Sequence, residues 1–219
     1  MRLWLSACAI ALAMLLCAPD AWSATWTAQQ MAVPVGSNGS LVSASCRFTG
    51  TACVAVGSAL NATGDGATLV EASSGSSWRV QPTPSPAGAL DSDLTGVSCV
   101  SSTACIAVGL YSVVGSPSTT AFAEVWTGAR WAIQRVPVPA GTDDSVLNGV
   151  SCTAVTACTA VGNWYGTSPP GGSLVERWNG TTWTIQSDSF AANLNSVWCA
   201  TSTVCTAVGS YYDSNLGKT

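Results

Sequence analysis

The stretch LTGVSCVSSTACIAVG, residues 94–109, decides the fold, because the chain contains it four times. LVSASCRFTGTACVAVG begins at Leu41, LNGVSCTAVTACTAVG at Leu147 and LNSVWCATSTVCTAVG at Leu194. A second motif follows the first three copies: LVEASSGSSWRVQPTP from Leu69, FAEVWTGARWAIQRVP from Phe122 and LVERWNGTTWTIQS from Leu174. Cys46, Cys99, Cys152 and Cys199 set the period at 53, 53 and 47 residues. Recurrence at such a period marks a repeat architecture, in which one supersecondary unit is stacked several times.

Each unit reads as four short strands separated by turn residues. In the second copy strand A is Leu94 to Cys99, strand B Cys105 to Leu110, strand C Ala121 to Trp126 and strand D Trp131 to Val136. Gly115, Ser116 and Pro117 mark the B–C loop, Thr127 to Arg130 the C–D turn, and Pro137 and Pro139 end strand D, where a missing N–H does no harm. Strand B places Cys105, Ala107 and Gly109 on one face and Ile106 and Val108 on the other. Small or apolar residues on both faces predict a sheet covered on both sides. The fold expected is all-β, a propeller-like array of four-stranded antiparallel blades. A β-sandwich would not explain so regular a period.

The copies fall near 41–89, 90–142, 143–190 and 191–219, within a repeat domain spanning 24–219. A lone strand D is expected ahead of them, in 24–31, from Trp26 to Gln30. The fourth copy stops after its strand B, so the chain reads as a fragment of a longer array. Uncovered blade faces on so weakly charged a protein would then favour self-association.

Arg2, the apolar run Leu3 to Leu16 and the small residues Ala21 and Ser23 read as a signal peptide, residues 1–23. The run is too short to span a bilayer, and no later stretch is long and apolar enough, so the mature chain is expected not to insert in a membrane. Secretion also suits the cysteines. Eight follow the signal peptide, as the pairs Cys46/Cys53, Cys99/Cys105, Cys152/Cys158 and Cys199/Cys205. Each pair flanks its own A–B hairpin, which predicts four local disulfides in an oxidising compartment. C-x5-C spacing without any histidine suits zinc poorly, and no cofactor is implied.

Only 8% of residues are charged, against roughly 25% in an average soluble protein. Seven basic residues in no run leave nucleic acid nothing to grip. Trp126 and Trp131, like Trp178 and Trp183, flank a Gly-containing turn and should face each other across it. Glu71, Glu124 and Glu176 recur two residues ahead of the strand-C Trp or its Ser73 equivalent. Trp126, Trp178 and these three glutamates are the candidate ligand-binding residues: indole faces for a sugar, and one carboxylate per blade. The competing roles are blade-to-blade packing for the tryptophans and hydrogen bonding to turn amides for the glutamates. Gln29, Gln81, Gln134 and Gln186 also recur, suited to satisfying buried backbone groups.

The turn Gly128 to Trp131, with Gly75 to Trp78 and Gly180 to Trp183, resembles the C–D turn of Asp-box propellers, sialidases included. The acidic residue of that signature is replaced by Ser73, Trp126 or Trp178. The W-x-G-x-x-W layout is similar to kelch blades without their glycine doublet. The whole unit, VSC-x5-C-x-AVG followed by E-x-W-x-G-x-x-W, resembles a repeat of secreted, mostly uncharacterised actinobacterial-type proteins. That resemblance covers nearly all of the mature chain and implies propeller-like folding without implying an activity.

Catalysis needs unlike groups converging at one place, whereas the titratable residues here are few and mostly repeat-equivalent. The function expected is an extracytoplasmic, non-catalytic binding or scaffold protein whose partner is a glycan or an extracellular protein. The alternative is a carbohydrate-active hydrolase using Asp91, Asp93, Asp143 and Asp144, which fall in the loops before strand A, on one rim.

Overall fold

The computed structural model of the protein describes residues 28–32, 38–46, 52–167, 171–186 and 192–211. The signal peptide read at 1–23 lies outside the described residues. Among the described residues, fourteen strands form three four-stranded sheets and one two-stranded sheet, each up-and-down in sequence order. Blade 1 is β1 (Gly39–Cys46), β2 (Cys53–Leu60), β3 (Gly66–Ser74) and β4 (Ser77–Gln81). Blade 2 is β5 (Ala89–Ser101), β6 (Ala104–Val113), β7 (Thr119–Trp126) and β8 (Trp131–Arg135). Blade 3 is β9 (Thr142–Ala154), β10 (Ala157–Gly166), β11 (Gly172–Trp178) and β12 (Trp183–Ile185). Blade 4 has β13 (Ala192–Cys199) and β14 (Cys205–Tyr211). Every strand pairs antiparallel with its sequence neighbours inside its own blade.

One expectation needs correcting. Strand A is longer than its motif, so Asp91 and Asp93 lie inside β5, and Asp143 and Asp144 inside β9, instead of in loops. Gly88 (φ 76°) and Gly141 (φ 80°) complete the preceding turn in a left-handed conformation that glycine alone adopts cheaply. The chain therefore enters the sheet just after each of them. Of the lone strand expected from Trp26 to Gln30, residues 26–27 lie outside the described residues and 28–30 are not part of a described strand.

Strand A carries a bulge beside the leucine that opens each repeat, with register shifts at Leu41/Ser43, Leu94/Gly96 and Leu194/Ser196 and the equivalent step between Leu147 and Gly149. The bulge turns a carbonyl onto strand B. A Cβ on Gly57, Gly109, Gly162 or Gly209 would lie 1.9–2.0 Å from the oxygen of Ser40, Asp93, Val146 or Asn193. No side chain fits there, which explains the glycine that closes every AVG.

The blades stack face to face. β5 packs on β1, β2 and β3, β9 on β5, β6 and β7, and β13 on β9, β10 and β11. The core lies between blades, with Val56, Leu94 and Val97 at the first interface, Val108, Leu147 and Val150 at the second, and Val161 and Val197 at the third. Burying each such side chain contributes roughly 1.5–3 kcal/mol. The stack does not close into a ring, so the array is propeller-like in its blades and open in its overall course.

Repeated hydrogen bonds set the stacking register. The backbone N–H of Cys99, Cys152 and Cys199 donates to the hydroxyl of Ser45, Ser98 and Ser151 in the preceding blade, each at 3.0 Å. The bulge residue reaches forward: Thr95 Oγ1 donates to the Leu147 carbonyl and Asn148 Nδ2 to that of Leu194, the latter at 2.8 Å. Asp91 accepts from Gly66 N–H (2.8 Å) and Asp144 from Thr119 N–H (2.7 Å), clasping the start of the preceding blade's strand C.

Candidate functional site

At one end of the stack lie the A–B hairpins and the C–D turns. Each cysteine pair sits directly opposite across its hairpin, and four disulfides close them: Cys46–Cys53, Cys99–Cys105, Cys152–Cys158 and Cys199–Cys205. Such bridges need an oxidising environment to form and persist. Trp126 pairs with Trp131 across the turn (ring centroids 5.6 Å) and Trp178 with Trp183 (5.4 Å). Of these four indoles only Trp126 is half-exposed.

The two strand-C tryptophans are held by their own blade. Trp126 Nε1–H donates to the Ser102 carbonyl and Trp178 Nε1–H to that of Val155, both at 3.2 Å, tying the end of strand C to the A–B turn. Between these turns of blades 2 and 3 opens an apolar slot of about 230 Å³. Val100, Val125, Trp126, Cys152, Val155 and Trp178 line it. The equivalent of Val125 in blade 3 is Arg177, whose guanidinium donates to the Ser202 carbonyl of blade 4.

The glutamates lie elsewhere. Glu71, Glu124 and Glu176 are fully buried on strand C, and none lines the slot. Glu71 accepts from the Ala32 N–H (3.1 Å), and Glu124 accepts from the hydroxyl of Thr83, in the preceding blade's strand-D exit. The residue equivalent to Thr83 ahead of blade 3 is Val136, which has no side-chain donor, and among the described residues both oxygens of Glu176 are without a partner. Burial pushes the Glu176 carboxyl up to about 8. Burial also raises Glu124, to about 7, with the Thr83 hydroxyl pulling the other way.

Two of the repeated glutamines, Gln29 and Gln81, accept from an indole of the following blade, whereas Gln186 donates to the Thr184 and Ile185 carbonyls beside it. Trp131 Nε1–H donates to Gln81 Oε1 (3.0 Å), and Trp78 Nε1–H donates to Gln29 Oε1. Residues 28–32 thus stand where a strand D would precede blade 1, with Gln29 in the place of Gln81 and Ala32 N–H meeting Glu71. Among the described residues the indole N–H of Trp183 has no partner.

The structure therefore brings Trp126 and Trp178 to one slot and separates Glu71, Glu124 and Glu176 into the stacking interfaces. Sequence reasoning missed the slot itself, whose apolar lining comes from two hairpin turns one repeat apart. It also missed the clasps made by Asp91 and Asp144. Their recurrence three residues before the strand-A leucine was the available signal. The chain matches no protein-family model and no curated protein sequence.

Proposed function

We propose that the protein is a secreted, extracytoplasmic, non-catalytic binding or scaffold repeat protein, of the kind its VSC-x5-C-x-AVG unit resembles. Its partner is a glycan or an extracellular protein. The observation that carries this is the slot between blades 2 and 3, where the half-exposed Trp126 presents indole surface beside the buried Trp178 in a concave apolar setting and no carboxylate lines it. Concave, mostly apolar sites are the usual form of ligand pockets. Asp91 and Asp144, the acids that a hydrolase would draw on, each hold a backbone N–H of the neighbouring blade. The four disulfides support export, and among the described residues no helix is long and apolar enough to cross a membrane.

The test is a glycan and extracellular-protein binding screen run beside fluorogenic glycoside hydrolysis. A ligand whose binding is weakened at least tenfold by Trp126→Ala, without turnover of any glycoside, supports the proposal. Hydrolysis abolished by Asp91→Asn or Asp144→Asn, in proteins that melt like the wild type, overturns it.

A further inference from the structure

The charges of the blades are sorted by end. Arg79, Arg130 and Arg177 all sit in or beside the C–D turns, at the end of the stack that carries the slot. Neither the A–B turns nor the C–D turns contain an acidic residue. Asp65, between β2 and β3, and Asp91, Asp93, Asp143 and Asp144, in the first half of β5 and β9, lie toward the opposite end. Eight residues of β5 separate Asp91 from Cys99, about 26 Å of strand and roughly three Debye lengths at physiological salt. A chain of net charge −4 therefore presents a basic end, with Arg79 and Arg130 exposed on it. These arginines also break the repeat: Arg130 stands where the other blades have Ser77 and Thr182, and Arg177 where they have Ala72 and Val125.

From this charge pattern and the lining of the slot we infer that the slot takes an aromatic side chain from an acidic segment of an extracellular protein, whose carboxylates are drawn to Arg130. The inference rests on the binding role proposed above and chooses between its two kinds of partner. The lining is wrong for a sugar. Thr156 supplies its only side-chain hydroxyl, and its cysteines are locked in disulfides. The indole N–H groups of Trp126 and Trp178 already donate to the Ser102 and Val155 carbonyls. Sugar hydroxyls entering the slot would lose their hydrogen bonds to water without replacement, whereas an aromatic ring has none to lose. The size agrees. A dry apolar cavity of roughly 150 Å³ holds benzene, so the slot's volume of about 230 Å³ admits a larger ring such as indole.

A comparison between blades shows what keeps the slot open. Arg177 of blade 3 reaches across to the Ser202 carbonyl of blade 4. Val125 holds the same place in blade 2, and both it and Val155, the equivalent of Ser202, line the slot. A valine cannot make that bridge, so the apolar gap between blades 2 and 3 is left unfilled. The charge is kept instead on Arg130, in the turn that the Thr127 N–H closes on the Arg130 carbonyl, next to Trp126. An apolar centre with charge at its rim is the arrangement of a protein-binding surface. Charge at a rim steers an oppositely charged partner and selects against others.

The experiment is selection of phage-displayed random dodecapeptides on the full, oxidised chain, followed by affinity measurements with the synthetic peptides recovered. The peptides are expected to carry an aromatic residue beside Asp or Glu. Changing that aromatic residue to Ala should weaken binding about thirtyfold, as loss of a central anchor does. Arg130→Glu should weaken it about tenfold, mostly through slower association. Val125→Arg installs the residue that blade 3 carries at this place and should abolish binding. If Val125→Arg melts early, Arg130→Glu, at an exposed turn position, decides the matter. A selection that enriches no peptide, or enriches basic peptides or peptides without an aromatic residue, overturns the inference. So does binding that is indifferent to Arg130→Glu. Oligosaccharides that bind through Trp126 where no peptide does would overturn the choice of partner and leave the binding role standing. Glycoside hydrolysis dependent on Asp91 or Asp144 would remove the binding role itself, so the two failures read differently.

Discussion

Replacing Glu176 by glutamine removes a titration from the interface between blades 2 and 3 while keeping the side chain's shape. The carboxyl is fully buried with neither oxygen partnered, so burial favours its neutral form and holds it near 8, against an ordinary 4.5. The sign follows from proton binding. Between pH 4.5 and 8 the folded chain keeps a proton that the unfolded chain has released. Stability is therefore full below about 4.5, falls as the pH rises, and is lost once the pH passes 8. A displacement of that size corresponds to roughly 5 kcal/mol. That is a large share of the ~5–15 kcal/mol that hold a typical domain together. At about 2–4 °C per kcal/mol for a chain of this length, Tm should drop by roughly 10–20 °C between pH 5 and pH 9. Glu124 adds a smaller fall in the same direction, ending near pH 7. Glu176→Gln should melt like the wild type at pH 5 and on the order of 10 °C above it at pH 9. Val136→Thr, which places a hydroxyl where Glu124 has Thr83, should reduce the drop by partnering the carboxylate. Thermal unfolding followed by tryptophan fluorescence measures all three proteins. Parallel pH curves for wild type and Glu176→Gln would refute the reasoning, because they would mean that Glu176 titrates normally.

Gly109→Ala should cost about 1–3 kcal/mol or prevent folding, since its Cβ would fall 1.9 Å from the Asp93 carbonyl; urea unfolding reads the loss. Trp131→Ala should cost on the order of 3–5 kcal/mol, and Trp198→Ala almost nothing, because the first indole is 3% exposed and the second 67%. Native emission at the wavelength of fully hydrated indole in a Trp198→Ala protein would contradict the burial of Trp131, Trp178 and Trp183. Non-reducing peptide mapping should recover only the four within-hairpin bridges, and free thiols or bridges between blades would contradict them. Reduction should lower stability in small contributions of about 2 kcal/mol per bridge, read as a stepwise fall in Tm, as expected for such short loops.

What the sequence determined is what lies within one blade. Cys99 and Cys105, or Trp126 and Trp131, are a few residues apart and meet across a tight turn, so spacing and turn chemistry place them opposite each other without knowledge of the rest. The two-residue alternation of strand B likewise announces a sheet covered on both faces, and Val108 and Ala107 are both fully buried. Most of what defines the candidate site lies between blades, where partners are about one repeat apart and depend on how one twisted sheet settles on another. Gln81 meets Trp131, Asp91 meets Gly66, and Thr83 meets Glu124 only after stacking has fixed the register. The same holds for the AVG glycine, which recurs in every copy but is explained only by a bulge in the paired strand. It holds most of all for the three glutamates. Their positions are equivalent in the sequence, yet Glu71 meets a backbone amide, Glu124 a hydroxyl and Glu176 nothing. Each environment is set by whatever residue the preceding blade presents, and tertiary packing alone decides which one that is.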